Sequence, residues 1–221
     1  SQAPVDAAIA DRYYQIEAIR SVGRVLENRG RDALLVMATG TGKTRTAAAL
    51  VDVLSKNNWA KRVLFLADRN ALVYQAKNAF TKLLPNLPAF DLTKEKDNLH
   101  ARVVFSTYQT MINLIDKEYD DSQRHFSIGH FDLIIFDEIH RSVYNKYKAI
   151  FQYFDGYRVG LTATPKAEGD RDTYHLFGLE PNIPTFAYEL DKAVEDQFLV
   201  PPYSVSVPVK FHREGIKYHE L

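Results

Sequence analysis

Residues 33–44 read ALLVMATGTGKT, and this stretch decides the fold. Its first part, Ala33–Met37, is a short apolar run of the kind that forms a buried strand. A glycine-rich loop follows at Gly40–Thr44, and apolar residues return at helical spacing from Leu50 onward. In a strand, loop and helix of this order, backbone N–H groups and the helix N-terminus can surround a phosphate. The stretch therefore predicts a P-loop, with an α/β fold built around it.

Outward from this loop, the chain alternates apolar runs with segments long enough for helices. Four further runs, each bounded by polar or turn residues, occupy 62–67, 102–106, 131–136 and 157–162. Near-continuous apolar strands are typical of a parallel sheet covered on both faces. We therefore predict a P-loop NTPase fold, a three-layer α/β sandwich with a mostly parallel central sheet. Ligands of such sheets bind at the carboxyl ends of the strands.

The remaining segments complete one predicted domain over residues 12–200. Apolar residues at helical spacing predict an amphipathic helix over 12–29 and a short helix around 191–197. Residues 1–11 are interpreted as a tail outside the fold, and 116–130 as a solvated excursion between strands. The last residues, 201–221, are interpreted as a connector, and their alternating part, 203–209, is either an edge strand or a segment leaving the domain.

The composition narrows the class of protein. The 221 residues carry 28 Lys and Arg against 28 Asp and Glu, so the net charge gives no general attraction to nucleic acid or to an anionic membrane. Any contact with nucleic acid must then be local. The absence of cysteine excludes disulfides and thiolate metal sites and fits a reducing compartment, with the cytoplasm as the default. The apolar runs are far shorter than the roughly 20 residues that span a bilayer, so no membrane association is expected.

The glycine-rich loop is the first candidate site. Lys43 is expected to contact the β and γ phosphates of a bound nucleotide, and the Thr44 hydroxyl to bind Mg²⁺. In the usual spacing of this motif the first position is glycine, and Met37 takes that place here. The alternative is a Gly-Thr-rich turn with an exposed lysine, which the strand-to-helix setting disfavours.

A pair of carboxylates is the second candidate site. Asp137 and Glu138 follow the apolar run 131–136, where an unpaired charge is costly, so a cation is expected beside them. Asp137 is expected to hold Mg²⁺, and Glu138 to orient and deprotonate the water that attacks the γ-phosphate. His140 is expected to report the nucleotide state to neighbouring loops. An Asp-Glu pair after a strand is also common as an acidic turn that caps a helix, and that alternative weakens once the P-loop is present.

The third candidate is the sequence LTATP at residues 161–165. Its hydroxyls, on Thr162 and Thr164, end another predicted strand and can bond to the acidic pair and sense loss of the γ-phosphate. An ordinary Thr-Pro turn needs no function. The order of this motif after the other two favours a functional reading.

The order of these motifs resembles superfamily 2 helicases. The motifs that carry the resemblance are RYYQ (12–15), ATGTGKT (38–44), FLADRNALVYQ (65–75), STYQT (106–110), DEIH (137–140) and LTATP (161–165). Two further stretches, HRSVYNKYKAIF at 140–151 and FAYELDKAVED at 186–196, resemble the motor subunit of type I restriction enzymes. This likeness covers about residues 12–203. One departure is Ile139, where the acidic motif more usually has alanine.

What this resemblance implies is ATP-driven translocation of double-stranded DNA by two RecA-like domains, of which this chain holds the first. Gln15 would contact the adenine edge, because an amide both donates and accepts hydrogen bonds. Thr39, Gly40, Thr41 and Gly42 would surround the phosphates together with the lysine and threonine that follow them. The residues implied to line the DNA track and contact its phosphates are Arg69, Gln75, Thr107 and Tyr108. Each of these residues alone is more often plain surface.

The resemblance also implies partners. The arginine finger that accelerates phosphoryl transfer would come from the second RecA-like domain, so this chain alone is expected to bind ATP poorly and hydrolyse it hardly at all. A nuclease domain of the same full-length chain, and the specificity and methylation subunits of a restriction complex, would be further partners. The cofactors would be ATP and Mg²⁺.

Three other functions stay open at this point. A repair or remodelling helicase of the same superfamily would share all the motifs but lack the upstream nuclease domain. A nucleotide-sensing module with relic catalytic residues would show no ATPase stimulated by DNA. A small-molecule P-loop kinase gives no account of DEIH or LTATP.

Overall fold

The computed structural model describes residues 2–94, 101–115, 126–139, 144–165 and 173–201. These residues form seven strands and seven helices. The strands are β1 (Asp32–Met37), β2 (Val63–Ala67), β3 (Ala89–Asp91), β4 (Val103–Thr107), β5 (Leu133–Asp137), β6 (Tyr157–Thr162) and β7 (Phe186–Tyr188). The helices are α1 (Tyr13–Glu27), α2 (Lys43–Lys56), α3 (Asn70–Leu83), α4 (Tyr108–Ile115), α5 (Tyr144–Tyr153), α6 (Thr173–Leu176) and α7 (Leu190–Glu195).

All seven described strands belong to one sheet in the order β3-β4-β2-β5-β6-β1-β7. Every pairing in this sheet is parallel. Parallel strands place all their carboxyl ends at the same edge. The loops after β1, β5 and β6 therefore meet at one edge of the sheet, with β6 between the other two strands.

Helices cover both faces of the sheet, which confirms the three-layer α/β sandwich. Alternate residues of β1 separate into two cores: Leu35 and Met37 pack with residues of α1, α2 and α3, whereas Leu34 and Val36 pack with residues of α4, α5 and α6. Side chains of a strand point alternately to the two faces of a sheet, so a strand buried on both sides is apolar throughout. This is why the central strands could be recognised as unbroken apolar runs.

The five strands predicted from the sequence are confirmed within two residues at each end. The sheet has two further edge strands, β3 and β7, which were not predicted. Each is three residues long and lies close to a proline, Pro88 or Pro184, so neither offers a run long enough to show a period. The predicted short C-terminal helix corresponds to α7.

The interpretation of residues 1–11 as a tail outside the fold is wrong for the end of that segment. Ile9 and Ala10 are buried in the core. The backbone oxygen of Ile9 accepts a hydrogen bond from Nε of Arg45, and that of Ala8 accepts one from Nη2 at 3.2 Å. Ile9 and Ala10 thus pack against α2, although the segment 1–11 is too short to show a helical or strand period.

The solvated excursion predicted over 116–130 is described only from residue 126 onward. There Phe126 is buried, so the end of the segment belongs to the core. Of the connector predicted over 201–221, residues 202–221 lie outside the described residues, and these include the alternating stretch 203–209. No helix in the part of the chain that the structure describes is long and apolar enough to cross a bilayer.

Candidate functional site

The loop between β1 and α2 has the backbone of a phosphate-binding loop. Gly40 and Gly42 have φ angles of 90° and 88°, in the left-handed region that a side chain makes costly. Gly42 directly precedes the first residue of α2, Lys43. Between the two glycines, Thr41 turns inward and its hydroxyl donates to the Ala38 carbonyl at 2.7 Å. The loop therefore leads directly into α2, and the N-terminus of this helix lies at the edge of the sheet where the strands end.

Met37 explains why this loop tolerates the loss of its usual first glycine. Its side chain is fully buried at the end of β1. Its carbonyl oxygen accepts a hydrogen bond from Lys43 Nζ at 3.3 Å. The backbone at this position is ordinary strand, so a side chain is compatible with it, and the position serves the lysine through a main-chain atom.

The predicted lysine and acidic pair come together. Lys43 Nζ lies 3.3 Å from Glu138 Oε1, and the two side chains are only 10% and 21% exposed. The residues are far apart in sequence, but the P-loop follows β1 and the acidic pair lies at the end of β5, and only β6 separates these two strands. The convergence predicted for Lys43 and Glu138 is thus present in the structure.

Asp137 occupies an electrostatically unfavourable position. The pKa of its carboxyl is raised to about 6, mainly by burial and next by the neighbouring Glu138 carboxylate, although the Lys43 ammonium acts in the opposite direction. A carboxyl group in this state gains from a nearby cation. The donor set and charge at this edge of the sheet therefore fit a divalent metal ion.

Glu138 has an unusual backbone. Its φ angle of 53° lies in the left-handed region, which costs a residue with a side chain on the order of 1 kcal/mol. The carbonyl of Asp137 on one side accepts a hydrogen bond from the Tyr108 hydroxyl at 2.9 Å. On the other side, the Ile139 amide donates to the Leu161 carbonyl at 3.5 Å. The conformation that aims Glu138 at Lys43 is held by one neighbour at the start of α4 and one in β6.

Gln15 reaches the loop from α1. Its amide nitrogen donates to the Thr41 carbonyl at 3.1 Å, and the Tyr14 hydroxyl donates to the same oxygen at 2.9 Å. The side chain is 2% exposed, and its Oε1 has no hydrogen-bond partner among the described residues. A buried acceptor without a donor is costly, and a ligand N–H satisfies it. Gln15 thus offers an acceptor beside the P-loop, as an adenine site requires.

Three residues near this edge were missed by sequence reasoning. Tyr14 stacks on Tyr188 of β7, with ring centroids 3.9 Å apart, and Tyr188 donates to Asp196 at 2.8 Å. Leu199 lies next to the loop, since a Cβ on Gly40 would be 3.1 Å from its Cδ2. Tyr14 sits at the helical spacing of the buried face of α1, which is a signal for burial and not for a site. Tyr188 carries no signal beyond its place in the FAYELDKAVED stretch, and Leu199 lies outside that stretch.

The remaining predicted loop and coupling residues differ in how exposed they are. Thr39 is exposed, Thr44 is partly buried in the first turn of α2, and Thr162 is fully buried at the end of β6. The hydroxyl of Thr162 accepts a hydrogen bond from the Thr164 amide at 3.2 Å, which makes the loop after β6 a compact turn. His140 lies outside the described residues.

The four residues predicted to line a DNA track divide into two kinds. Gln75 is exposed, and Arg69 is 71% exposed with an ion pair to Asp68 at 3.5 Å. Thr107 and Tyr108 are buried, with 6% and 4% exposure. The expectation that these two side chains contact DNA phosphates disagrees with their burial, because Thr107 bonds to Thr110 and Tyr108 reaches the acidic motif.

A parallel sheet with a P-loop after β1 and an acidic pair at the end of β5, the next strand but one, defines a P-loop α/β domain of the helicase type. The chain belongs to the family described as type III restriction enzyme, res subunit, whose model matches residues 8–167.

Two curated relatives come from Escherichia coli. The chain is 35% identical to the type I restriction enzyme EcoAI endonuclease subunit, over 92% of this chain and 25% of the relative. It is 31% identical to the EcoKI endonuclease subunit of strain K12, over 93% of this chain and 19% of the relative. The chain therefore spans about a quarter or less of these proteins.

A solved structure gives the same result for the fold. A fragment described as the HsdR subunit of a type I restriction enzyme from Vibrio vulnificus YJ016 has a TM-score of 0.65 and 30% identity, and the match covers 88% of this chain and 33% of that chain. The resemblance to the type I motor subunit and the RecA-like fold predicted from the motifs are confirmed.

Proposed function

We propose that this chain is the ATP-binding first motor domain of an ATP-dependent DNA translocase, within the endonuclease subunit of a type I restriction enzyme. The observation that carries the proposal is the ion pair between Lys43 and Glu138, 3.3 Å long and largely buried. It brings the phosphate-binding lysine and the candidate general base to one point. Family membership and the two Escherichia coli relatives support the type of enzyme.

In this proposal the two charged residues exchange partners. Without nucleotide, the Lys43 ammonium neutralises Glu138. In the ATP-bound state Lys43 contacts the β and γ phosphates, which leaves the Glu138 carboxylate to orient and deprotonate the attacking water. Thr39, Gly40, Thr41 and Gly42 surround the phosphates with their backbone.

The metal ion belongs to the same site. Thr44 and Asp137 hold Mg²⁺, whose charge neutralises the phosphate oxygens. A cation beside Asp137 also removes the penalty that burial imposes on its charged form and returns its pKa toward the ordinary range. The Gln15 Oε1 accepts a hydrogen bond from the adenine amino group, which satisfies a buried acceptor.

The nucleotide state passes outward through neighbouring loops. Thr162 ends β6 and Thr164 follows it, and β6 lies between the P-loop strand and the acidic strand, so both residues are placed to respond to a change at the γ-phosphate. His140 follows the acidic pair and has the same coupling role. Arg69 and Gln75 present exposed polar groups for double-stranded DNA, through contacts to phosphates that carry no sequence information.

In this proposal the full-length protein and its partner subunits supply the remaining domains that the enzyme needs. The second RecA-like domain supplies the arginine finger, so the chain of residues 1–221 alone hydrolyses ATP hardly at all. The first motor domain predicted over 12–200 also includes the buried residues Ile9 and Ala10, and residues 201–221 form the connector to the second domain. A nuclease domain of the same full-length chain and the specificity and methylation subunits complete a type I site-specific deoxyribonuclease.

The test is the ATPase rate of a longer protein that extends beyond Leu221 through the second domain, with and without double-stranded DNA. We expect DNA to stimulate the rate and Lys43→Ala or Glu138→Gln to abolish it. The matched control is Glu17→Gln, which removes a carboxylate from an exposed ion pair on α1. It should leave the rate unchanged. A flat response to DNA in the unmodified protein would favour a nucleotide-sensing module.

A further inference from the structure

Tyr108 has a role that its position in the STYQT motif does not suggest. It begins α4 directly after β4, and its side chain is 4% exposed. The ring stacks on Phe136, with centroids 6.3 Å apart and an angle of 23° between the rings. A tyrosine in this position is directed into the sheet and away from any ligand on the surface.

The hydroxyl of this tyrosine meets one particular atom. It donates to the main-chain oxygen of Asp137 at 2.9 Å. That oxygen belongs to the peptide that joins Asp137 to Glu138, the residue with a φ angle of 53°. The left-handed backbone of Glu138 is less favourable than an extended or helical one. If the Asp137–Glu138 peptide rotated, Glu138 could adopt one of these other conformations and its side chain would point elsewhere.

The backbone that carries Tyr108, at the start of α4, is held by hydrogen bonds. The Thr107 hydroxyl accepts a hydrogen bond from the Thr110 amide at 3.1 Å and lies 2.9 Å from the Thr110 hydroxyl, so the first turn of α4 is capped. β4 is separated from β5 by β2. Tyr108 therefore spans β2 to connect the end of β4 with the end of β5.

We propose that Tyr108 is a positioning residue, which holds the Asp137–Glu138 peptide so that the Glu138 carboxylate faces the P-loop. The inference rests on the proposed ATPase function. It assigns no contact with nucleotide or DNA to Tyr108. The bond acts through the backbone, so its loss displaces the general base without removing any group that binds ATP.

The test compares two tyrosine-to-phenylalanine variants in the longer protein. Tyr108→Phe removes the hydroxyl and keeps the ring on Phe136. Tyr153→Phe is the matched control, because the Tyr153 hydroxyl also donates to a main-chain oxygen, that of Phe126 at 2.7 Å, away from the site. Each variant loses one hydrogen bond, so a purely structural role predicts equal effects.

We expect Tyr108→Phe to lower kcat for ATP by about tenfold or more, with KM for ATP within about twofold, because a general base displaced by about 1 Å costs up to about a hundredfold. Tyr153→Phe should leave both constants unchanged. In the nucleotide-free protein, hydrogen exchange in peptides that cover 137–139 should accelerate in Tyr108→Phe and not in Tyr153→Phe.

Equal kcat values for the two variants, or unchanged exchange at 137–139, would overturn the inference. A parent protein without ATPase activity would instead count against the proposed function, and the exchange comparison would still decide whether Tyr108 fixes the peptide. A rise in KM with constant kcat would mean that Tyr108 serves nucleotide binding, which also contradicts the positioning role.

Discussion

The amide nitrogen of Gln15 occupies the space in which a side chain on Gly42 would begin. A Cβ built on Gly42 would lie 2.7 Å from Gln15 Nε2, closer than a Cβ approaches a heavy atom to which it is not bonded, so the Gln15 side chain would have to move. Gly42 also has a φ angle of 88°. Two independent constraints thus act on one residue of the P-loop, one from its own backbone and one from α1.

We predict that Gly42→Ala weakens nucleotide binding by about tenfold or more, because both the left-handed backbone and the Gln15 contact must change. Binding of a fluorescent ATP analogue to the longer protein measures the effect. Gly178→Ala is the control: Gly178 also has a positive φ, 62°, but no atom lies within 4 Å of the added Cβ. A similar loss in both variants would mean that general destabilisation, and not the loop, is responsible.

Asp137 gives a prediction for the pH dependence of stability. Its pKa is raised from 3.8 to about 6 in the folded protein, so the folded state holds a proton that the unfolded state has lost between these values. The contribution of this group to stability therefore falls as pH rises from about 4 through about 6. At neutral pH the penalty is about 3 kcal/mol in the absence of a cation.

Asp137→Asn should remove this penalty. We expect the nucleotide-free variant to be more stable by about 2 kcal/mol at pH 7 and to show no gain below about pH 4. Urea unfolding at a series of pH values measures it. Asp155→Asn, at a 67% exposed carboxylate, should show no such pH-dependent gain. A gain for Asp137→Asn that is constant between pH 4 and 7 would contradict the raised pKa.

The position of Gln15 leads us to predict that it selects adenine over guanine in the bound nucleotide. Gln15→Met removes the buried Oε1 acceptor, while the Tyr14 hydroxyl still holds the Thr41 carbonyl. We expect the preference for ATP over GTP, measured as the ratio of kcat/KM values in the longer protein, to fall by about tenfold. Gln109→Met, at an exposed glutamine on α4, should leave the ratio unchanged. An unchanged ratio in Gln15→Met would remove the adenine role.

Arg158 is predicted to stabilise the fold without serving the site. Its guanidinium holds Asp32 through two hydrogen bonds, one of them 2.9 Å long, and donates to the Phe151 carbonyl at 3.1 Å. It therefore ties β6 to β1 and α5. Arg158→Met should lower the free energy of unfolding by about 2 kcal/mol, since it leaves the partly buried Asp32 carboxylate unpaired. Chemical denaturation measures this, and KM for ATP should not change.

The sequence predicts the centre of this molecule better than its margins. Central strands such as β1 and β5 are apolar on both faces, so their residues identify them without any tertiary information. The edge strands β3 and β7 have three residues each and depend on a neighbour that the sequence does not reveal. Ile9 and Ala10 were misjudged for the same reason, because their burial depends on α2.

The same difference holds for the site. Lys43 and Glu138 could be paired from sequence because each lies just past the carboxyl end of a recognisable strand, and parallel strands have their carboxyl ends at one edge. Tyr108 was expected on the DNA surface, since a motif gives the position of a residue and not the direction of its side chain. Only the packing of its ring on Phe136 shows that it faces inward. The stacking of Tyr188 on Tyr14 joins β7 to α1, and no local sequence pattern predicts a contact between these two elements.

The most direct test of the central claim is a crystal structure of the longer protein with Mg²⁺ and a non-hydrolysable ATP analogue. We expect Lys43 Nζ, now 3.3 Å from Glu138, to contact the β and γ phosphates, with Thr44 and Asp137 at the metal ion. A nucleotide bound elsewhere, with the ion pair between Lys43 and Glu138 intact, would contradict the account.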